Sequence, residues 1–168
     1  MLRDITIKVD DLGDGAVFEL LHAHRQEMLN HSPPESVHAL DVDAIKSPSL
    51  TFWSARNALS NDLGRSSRGV VIGCVALKNL SKQHAELKSM KVSDVYLGQG
   101  VGRLLLNHVL AYAKRSGYQR VSLETGTQPV FEAARGLYES VGFKQCEPFS
   151  DYVYDRNSVC MSLKLVDL

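Results

Sequence analysis

Glu86-Leu87-Lys88-Ser89-Met90-Lys91-Val92-Ser93-Asp94-Val95-Tyr96-Leu97-Gly98-Gln99-Gly100-Val101-Gly102-Arg103-Leu104-Leu105 changes character halfway along. The first part reads as the end of a strand over Ala85 to Val92. Glycine then recurs at alternate positions (Gly98, Gly100, Gly102), and a helical pattern leaves the turn toward about Ser116. Side-chain-free residues leave their backbone N–H groups unobstructed, and these point into the space before a helix N-terminus. That end carries about half a positive charge, so phosphate is favoured there. Arg103 adds a cation. The segment reads as an anion-binding loop, with a glycine-rich turn that holds no ligand as the alternative. It is not a dinucleotide fingerprint, whose third glycine would fall at Arg103 and which follows the first strand of its unit. Nor is it a P-loop, because Gly102-Arg103-Leu104 supplies no Gly-Lys-Ser/Thr.

Upstream of this segment, Ile5, Ile7 and Val9 alternate with polar residues and predict a first strand. Asp14 is placed to cap a helix reaching about Leu29, with Val17, Leu20, Leu21 and Met28 on its apolar side. Ser32-Pro33-Pro34-Glu35-Ser36 must end that helix, since two prolines remove donors and fix φ. A short helix is expected over Asp41 to Lys46, strands over Leu50 to Ala55 and Gly69 to Leu77, and an exposed loop over Asn61 to Ser67. Downstream, Gly117 stops the long helix. Arg120 to Glu124 reads as a strand and Pro129 to Ser140 as a helix; Gly142 ends that helix, Phe143 opens a return strand, and Val159 to Leu165 alternates as the last strand. The order predicts a mixed α/β sheet with helices on its faces.

Size and composition bound the function. The 168 residues suggest one domain, 1–168, long enough to bury a core without disulfides or metals. Lys plus Arg is 19 and Asp plus Glu is 19, so nothing favours nucleic acid as a partner. No apolar stretch approaches the ~20 residues that cross a bilayer, and the N-terminus has no apolar signal-peptide core, so no membrane partner is expected. Cys74, Cys146 and Cys160 are odd in number and read as free thiols in a reducing cytoplasm. The histidines do not have zinc spacing. His22 and His24 point to different sides of a helix, and His31 and His38 flank the Pro-Pro turn.

Two stretches carry a family resemblance. The run from Glu86 to Leu105 resembles the acetyl-CoA-binding signature of the GNAT N-acetyltransferase superfamily. Ala134-Arg135-Gly136-Leu137-Tyr138-Glu139-Ser140-Val141-Gly142-Phe143 is similar to its A-x-x-L-Y-E-x-x-G-F element, in the family's order and at about its spacing. The match is good from about residue 70 to 145. More narrowly, Ser32 to Leu40 and Phe52-Trp53-Ser54 look like a bacterial subgroup of acetyltransferases. In that family the fourth and fifth strands splay apart and pantetheine lies between them. The resemblance therefore implies a mixed, mostly antiparallel sheet with helices on both faces and acetyl-CoA as co-substrate, with no metal. The acceptor would be a small-molecule primary amine that attacks directly in a ternary complex, and a homodimer is compatible with the family.

By the same resemblance, backbone groups of Met90 and Val92 would pair with pantetheine, and an N–H at Met90 or Lys91 would face the developing oxyanion. Gly98, Gln99, Gly100, Val101, Gly102 and Arg103 would hold the pyrophosphate. Tyr138 matches the family acid that protonates the departing thiolate; a tyrosine simply packed in the core is the alternative. Glu86 matches a general base found in some members; the alternatives are an exposed strand residue paired with Lys88, and Glu124 as a rival base. Leu97 stands where Arg or Gln is common, and Phe131 where Asn is, so one polar contact is lost and a wall becomes apolar. Leu87 and Met90 are three apart; a bulge would face both inward, and a strand buried on both faces would need none. The stiff segment Ser32 to Leu40, with Glu35 and His38, is expected to line the acceptor cleft. A CoA-binding module of this fold that regulates rather than catalyses is the second reading.

Overall fold

The computed structural model describes residues 4–38, 42–58 and 69–168. The expected loop over Asn61 to Ser67, the end of the Ser32 to Leu40 segment and the start of the helix expected from Asp41 lie outside them. The strands are β1 (Ile5–Val9), β2 (Leu50–Asn57), β3 (Val70–Asn79), β4 (His84–Val92), β5 (Arg120–Gly126), β6 (Lys144–Cys146) and β7 (Ser158–Lys164). The helices are α1 (Ala16–His31), α2 (Val42–Ile45), α3 (Val101–Arg115) and α4 (Glu132–Ser140). One sheet of seven strands runs in the order β1-β2-β3-β4-β5-β7-β6. β1 to β4 form an antiparallel meander, β4 and β5 are parallel, and β5, β7 and β6 are antiparallel again. The parallel step needs a crossover, and α3 supplies it.

Each face of the sheet carries its own core. Val101, Leu105, Leu106, Val109, Leu110 and Ala113 recur at helical spacing along α3. They pack with Ile72, Val75, Leu87, Val121, Leu123 and α4's Tyr138 on one face. Full burial of each leucine contributes about 1.5–3 kcal/mol, so the α3 stripe dominates the anchoring of that layer. On the other face Val17 and Leu21 of α1 meet Phe52, Cys74 and Ala76. β3 sits between the two layers, which is why Ile72 to Leu77 is apolar without alternation.

Three local expectations need correction. The first helix begins two residues beyond Asp14, at Ala16, because Gly15 takes the N-cap position with a left-handed backbone (φ 76°); Asp14 instead accepts the Ala16 N–H at 3.1 Å. Pro129 to Phe131 form a 3-10 turn, so α4 starts only at Glu132. Phe143 is a buried core residue that precedes the return strand rather than opening it. Among the described residues no helix is long and apolar enough to cross a membrane.

Candidate active site

β4 and β5 stay paired for a short distance. His84 faces Arg120, Ala85 faces Val121 and Glu86 faces Ser122; beyond Glu86 the register stops although both strands continue. The cause lies on the other side of β4. Cys74 of β3 faces Lys91 while Ala76 faces Lys88, so Val75 alone opposes both Ser89 and Met90. This is a bulge, and Ser89 carries its unusual backbone (φ 53°). A bulge bends its strand and increases its twist, which turns β4 away from β5. It also resets the side-chain parity: Leu87 and Met90 both face the main core, while Lys91 turns toward α1. The spacing of three thus has the bulge as its explanation. Past Glu86, the facing backbone edges of β4 and β5 form a cleft through the sheet.

The glycine-rich turn closes one end of this cleft. Gly98 and Gly100 both have left-handed backbones (φ 72° and 86°), and Gly100 is the N-cap of α3. The N–H groups of Gly98, Gln99, Gly100, Val101, Gly102 and Arg103 find no carbonyl among the described residues. The first one bonded belongs to Leu104, which donates to Gly100 at 3.1 Å. These donors and the helix dipole make a concentrated anion site. Gly102 allows close packing, since a Cβ there would come within 3.3 Å of Leu137 on α4 and 3.5 Å of Met90. The side chains around the loop are otherwise engaged: Gln99 Nε2 donates to the Val95 carbonyl (3.1 Å) and Arg103 to Ser140 Oγ (3.0 Å). Lys91 is clamped between Glu27 (2.6 Å) and Asp94 (3.1 Å), joining α1 to β4. Leu97 stands 58% exposed beside the loop. Phe131 lies on Gly126 so closely that a Cβ there would meet its ring at 2.2 Å.

On the face away from α3, the even-numbered residues of β4 and β5 build a polar floor. Glu86 is buried, 3% exposed, where an exposed strand residue was the alternative. Tyr152 donates to Glu86 Oε2 at 2.5 Å, and Lys88 donates to the same oxygen at 3.3 Å and to Tyr152 Oη at 2.9 Å. His38 stands edge-on to the Tyr152 ring (5.0 Å), and Phe149 also packs edge-on against it (5.1 Å). Burial, then Lys88, hold His38 below the usual histidine range, against Asp155 and Glu86. Ser36 lies against Asp155 and Asn157, and its hydrogen bond is the largest cause holding Asp155 below its ordinary range. The chain between α1 and α2 and the long β6–β7 connection therefore meet over Glu86. Glu35, next to Ser36 in the chain, is exposed.

Two titratable groups flank the divergence. Glu124 has no hydrogen-bond or ion-pair partner among the described residues. Burial pushes its carboxyl up to about 7, with Lys88 opposing and Glu86 adding to the shift. Tyr138 comes from α4 on the opposite face, 7% exposed, its ring edge-on to Phe143 at 5.8 Å. Its hydroxyl bonds to no described residue, and burial, then the Glu124 charge, push it up to about 12.

The structure thus brings Glu86, Glu124, Tyr138 and His38 to one cleft and Met90 to Arg103 along its edge. Tyr152 and Asp155 are additional members that the sequence patterns did not single out, whereas Lys88 does pair with Glu86 and Ser36 lies in the segment expected to line the cleft. Tyr152 and Asp155 lie in an irregular connection, where no periodicity marks an inward side chain. Among the described residues no group of His, Cys, Asp and Glu converges as for a metal. His24 is half-buried and held down at about 4, chiefly by desolvation and then by Lys91.

Comparison with known proteins points one way. The model of the acetyltransferase (GNAT) family matches residues 17–143. The chain is 45% identical to an uncharacterized N-acetyltransferase of Bacillus subtilis, YsnE, over 95% of this chain and 99% of that one. It is 44% identical to an uncharacterized N-acetyltransferase of Escherichia coli, YedL, over 96% of both. Its fold is similar to a GNAT family acetyltransferase from Elizabethkingia anophelis with acetyl-CoA bound, at a TM-score of 0.64 and 19% identity over 95% of this chain and 97% of that one.

Proposed function

The chain belongs to the acetyltransferase (GNAT) family, and we propose that it carries the acetyl group of acetyl-CoA to a primary amine of a small molecule by direct attack in a ternary complex. One observation carries this reading. The β4–β5 pairing ends at Glu86 and Ser122, and the cleft beyond it leads to the unpaired amides of Gly98 to Arg103. A thioester whose carrier is an extended amide chain ending in pyrophosphate matches both parts. The released edge of β4 at Met90 and Val92 pairs with pantetheine, and the loop amides take the pyrophosphate. Backbone donors dominate this site, so it tolerates Leu97 in place of a polar side chain.

In this reading the chemistry is divided between the two faces of the sheet. An N–H of β4 at Met90 or Lys91 stabilises the oxyanion of the tetrahedral intermediate. Tyr138, protonated at any working pH, gives its proton to the departing thiolate. The amine enters from the opposite face, over Glu86 and His38. Oε2 of Glu86 is held by Tyr152 and Lys88, which leaves Oε1 to draw in the ammonium form of the acceptor. The whole chain acts as one domain, with Cys74, Cys146 and Cys160 as free thiols in a cytoplasmic setting.

Thiol release from acetyl-CoA over a panel of amino acids, amino sugars, polyamines and short peptides tests this function. Varying both substrates should give intersecting double-reciprocal lines. Parallel lines together with an isolable acetyl-protein would refute direct attack, and absence of thiol release with every amine would refute the acceptor class.

A further inference from the structure

Building on the acetyltransferase reading above, we propose that Glu124, rather than Glu86, takes the proton from the acceptor ammonium. Glu124 lies two residues past Ser122, the last β5 residue paired with β4. Val121 and Leu123 face the main core, while Ser122 reaches His84 on the other face (2.7 Å). Alternation puts Glu124 on the Ser122 face, as the first side chain of β5 on that face beyond the point where the strands part. That is the rim of the cleft on the side from which the amine enters.

The two carboxylates differ in what already holds them. Oε2 of Glu86 accepts from Tyr152 and Lys88, which engages that oxygen and sets the orientation of the group. Glu124 has no such partner among the described residues and is available to a proton. Its surroundings tune it. Glu86 and Lys88 face it from β4, Cys160 opposite it on β7, Tyr152 and Asp155 from the β6–β7 connection, and Tyr138 from α4. Burial, with Glu86 and Asp155 and against Lys88, pushes its carboxyl up to about 7. A base that titrates near the working pH combines a usable free fraction with real proton affinity. The Glu124 charge also raises Tyr138, so base and acid sense each other across the cleft.

The protons balance. The Glu124 carboxylate takes one proton from R–NH3+ and passes it to solvent. The nitrogen lone pair attacks the thioester carbon, forming the C–N bond, and collapse breaks the C–S bond. The nitrogen loses its second proton to Glu124, and Tyr138 protonates the thiolate and is reprotonated from Glu124 or water. The sum is R–NH3+ plus acetyl-CoA giving the acetamide, CoA and one proton.

Single-turnover acetyl transfer from acetyl-CoA tests the assignment, using whichever of a free amino acid, an amino sugar or a polyamine the wild type turns over fastest. Wild type, Glu124→Gln and Glu86→Gln are compared between about pH 5.5 and 9.5. Glu124→Gln is expected to lower the neutral-pH rate ~10²–10⁴-fold. It should also abolish the acidic limb near pH 7, with the rate recovering as the pH approaches the amine's own pKa. Glu86→Gln should raise the amine KM and keep that limb. Thermal melting of the free proteins is a second readout. A carboxyl whose folded pKa is raised from 4.5 to about 7 contributes stability that is lost as pH rises through that window, so the Tm of Glu124→Gln relative to wild type should rise between about pH 4.5 and 7 and level off above it. A Glu124→Gln profile like wild type, loss of the limb in Glu86→Gln, or a pH-independent melting difference would each overturn the assignment. A wild type that acetylates none of the amines overturns the acetyltransferase reading itself, and the base with it, before any variant is compared.

Discussion

Replacing Tyr138 by Phe removes one oxygen from a ring that is 7% exposed and packed edge-on to Phe143. The hydroxyl bonds to no described residue, so no buried partner is orphaned and the usual ~1–3 kcal/mol penalty does not arise. The stability change should stay within about 0.5 kcal/mol, or roughly 1–2 °C in Tm for a chain of this size. Acetyl-CoA affinity should be kept for the same reason. The rate should not be kept. Loss of a positioned acid lowers the single-turnover rate ~10²–10⁴-fold, equivalent to about 2.7–5.4 kcal/mol of barrier. Burial and Glu124 push Tyr138 up to about 12, so wild type keeps this proton throughout the assay range. The variant's pH profile should therefore be displaced downward without a change of shape. Rapid-quench thiol release under single-turnover conditions separates chemistry from product release. A wild-type rate across the pH range would refute Tyr138 as the acid. A large fall in Tm with little loss of rate would mean that the hydroxyl serves packing.

Gly100→Glu places a carboxylate among the loop amides and a side chain on a left-handed backbone (φ 86°); calorimetry should show no acetyl-CoA binding while the fold persists with a cost of about 1 kcal/mol. Tyr152→Phe removes the donor to Glu86 Oε2 and leaves Lys88, so the amine KM should rise several-fold and stability fall by ~1–3 kcal/mol, read from steady-state kinetics and chemical denaturation. His38→Ala should raise the amine KM and leave acetyl-CoA affinity unchanged, and Glu35→Ala, at an exposed side chain, should raise KM less; an equal fall in acetyl-CoA affinity would move His38 to the fold or the cofactor site.

What could be read in the sequence was what is local. The strand, the alternate glycines and the helix that follows sit within some twenty residues, and their chemistry follows from backbone geometry alone. The α3 stripe shows in the same way, because helical spacing marks one face. The bulge at Ser89 and Met90 was legible only as an unresolved spacing between Leu87 and Met90, since the deciding partner is Val75, far upstream. The divergence of β4 and β5 depends on pairs such as Glu86 with Ser122, which no local pattern encodes. The acceptor side was least visible. Tyr152 and Asp155 reach Lys88, Glu86 and Ser36 from a connection without regular structure, and the burial of Glu86 arises from that long-range cover. Its partnered state, set beside the unpartnered Glu124, is a property of the assembled cleft.

The central claim is that acetyl-CoA occupies the cleft between β4 and β5, with its pyrophosphate on the loop amides. Titrating acetyl-CoA into the ¹⁵N-labelled protein tests it directly by NMR. Saturable amide shifts should concentrate at residues 87–92 and 98–103, with downfield movement of the Gly98 to Arg103 amides as they gain an anionic acceptor. Shifts concentrated elsewhere, or none at saturating acetyl-CoA, would contradict the account.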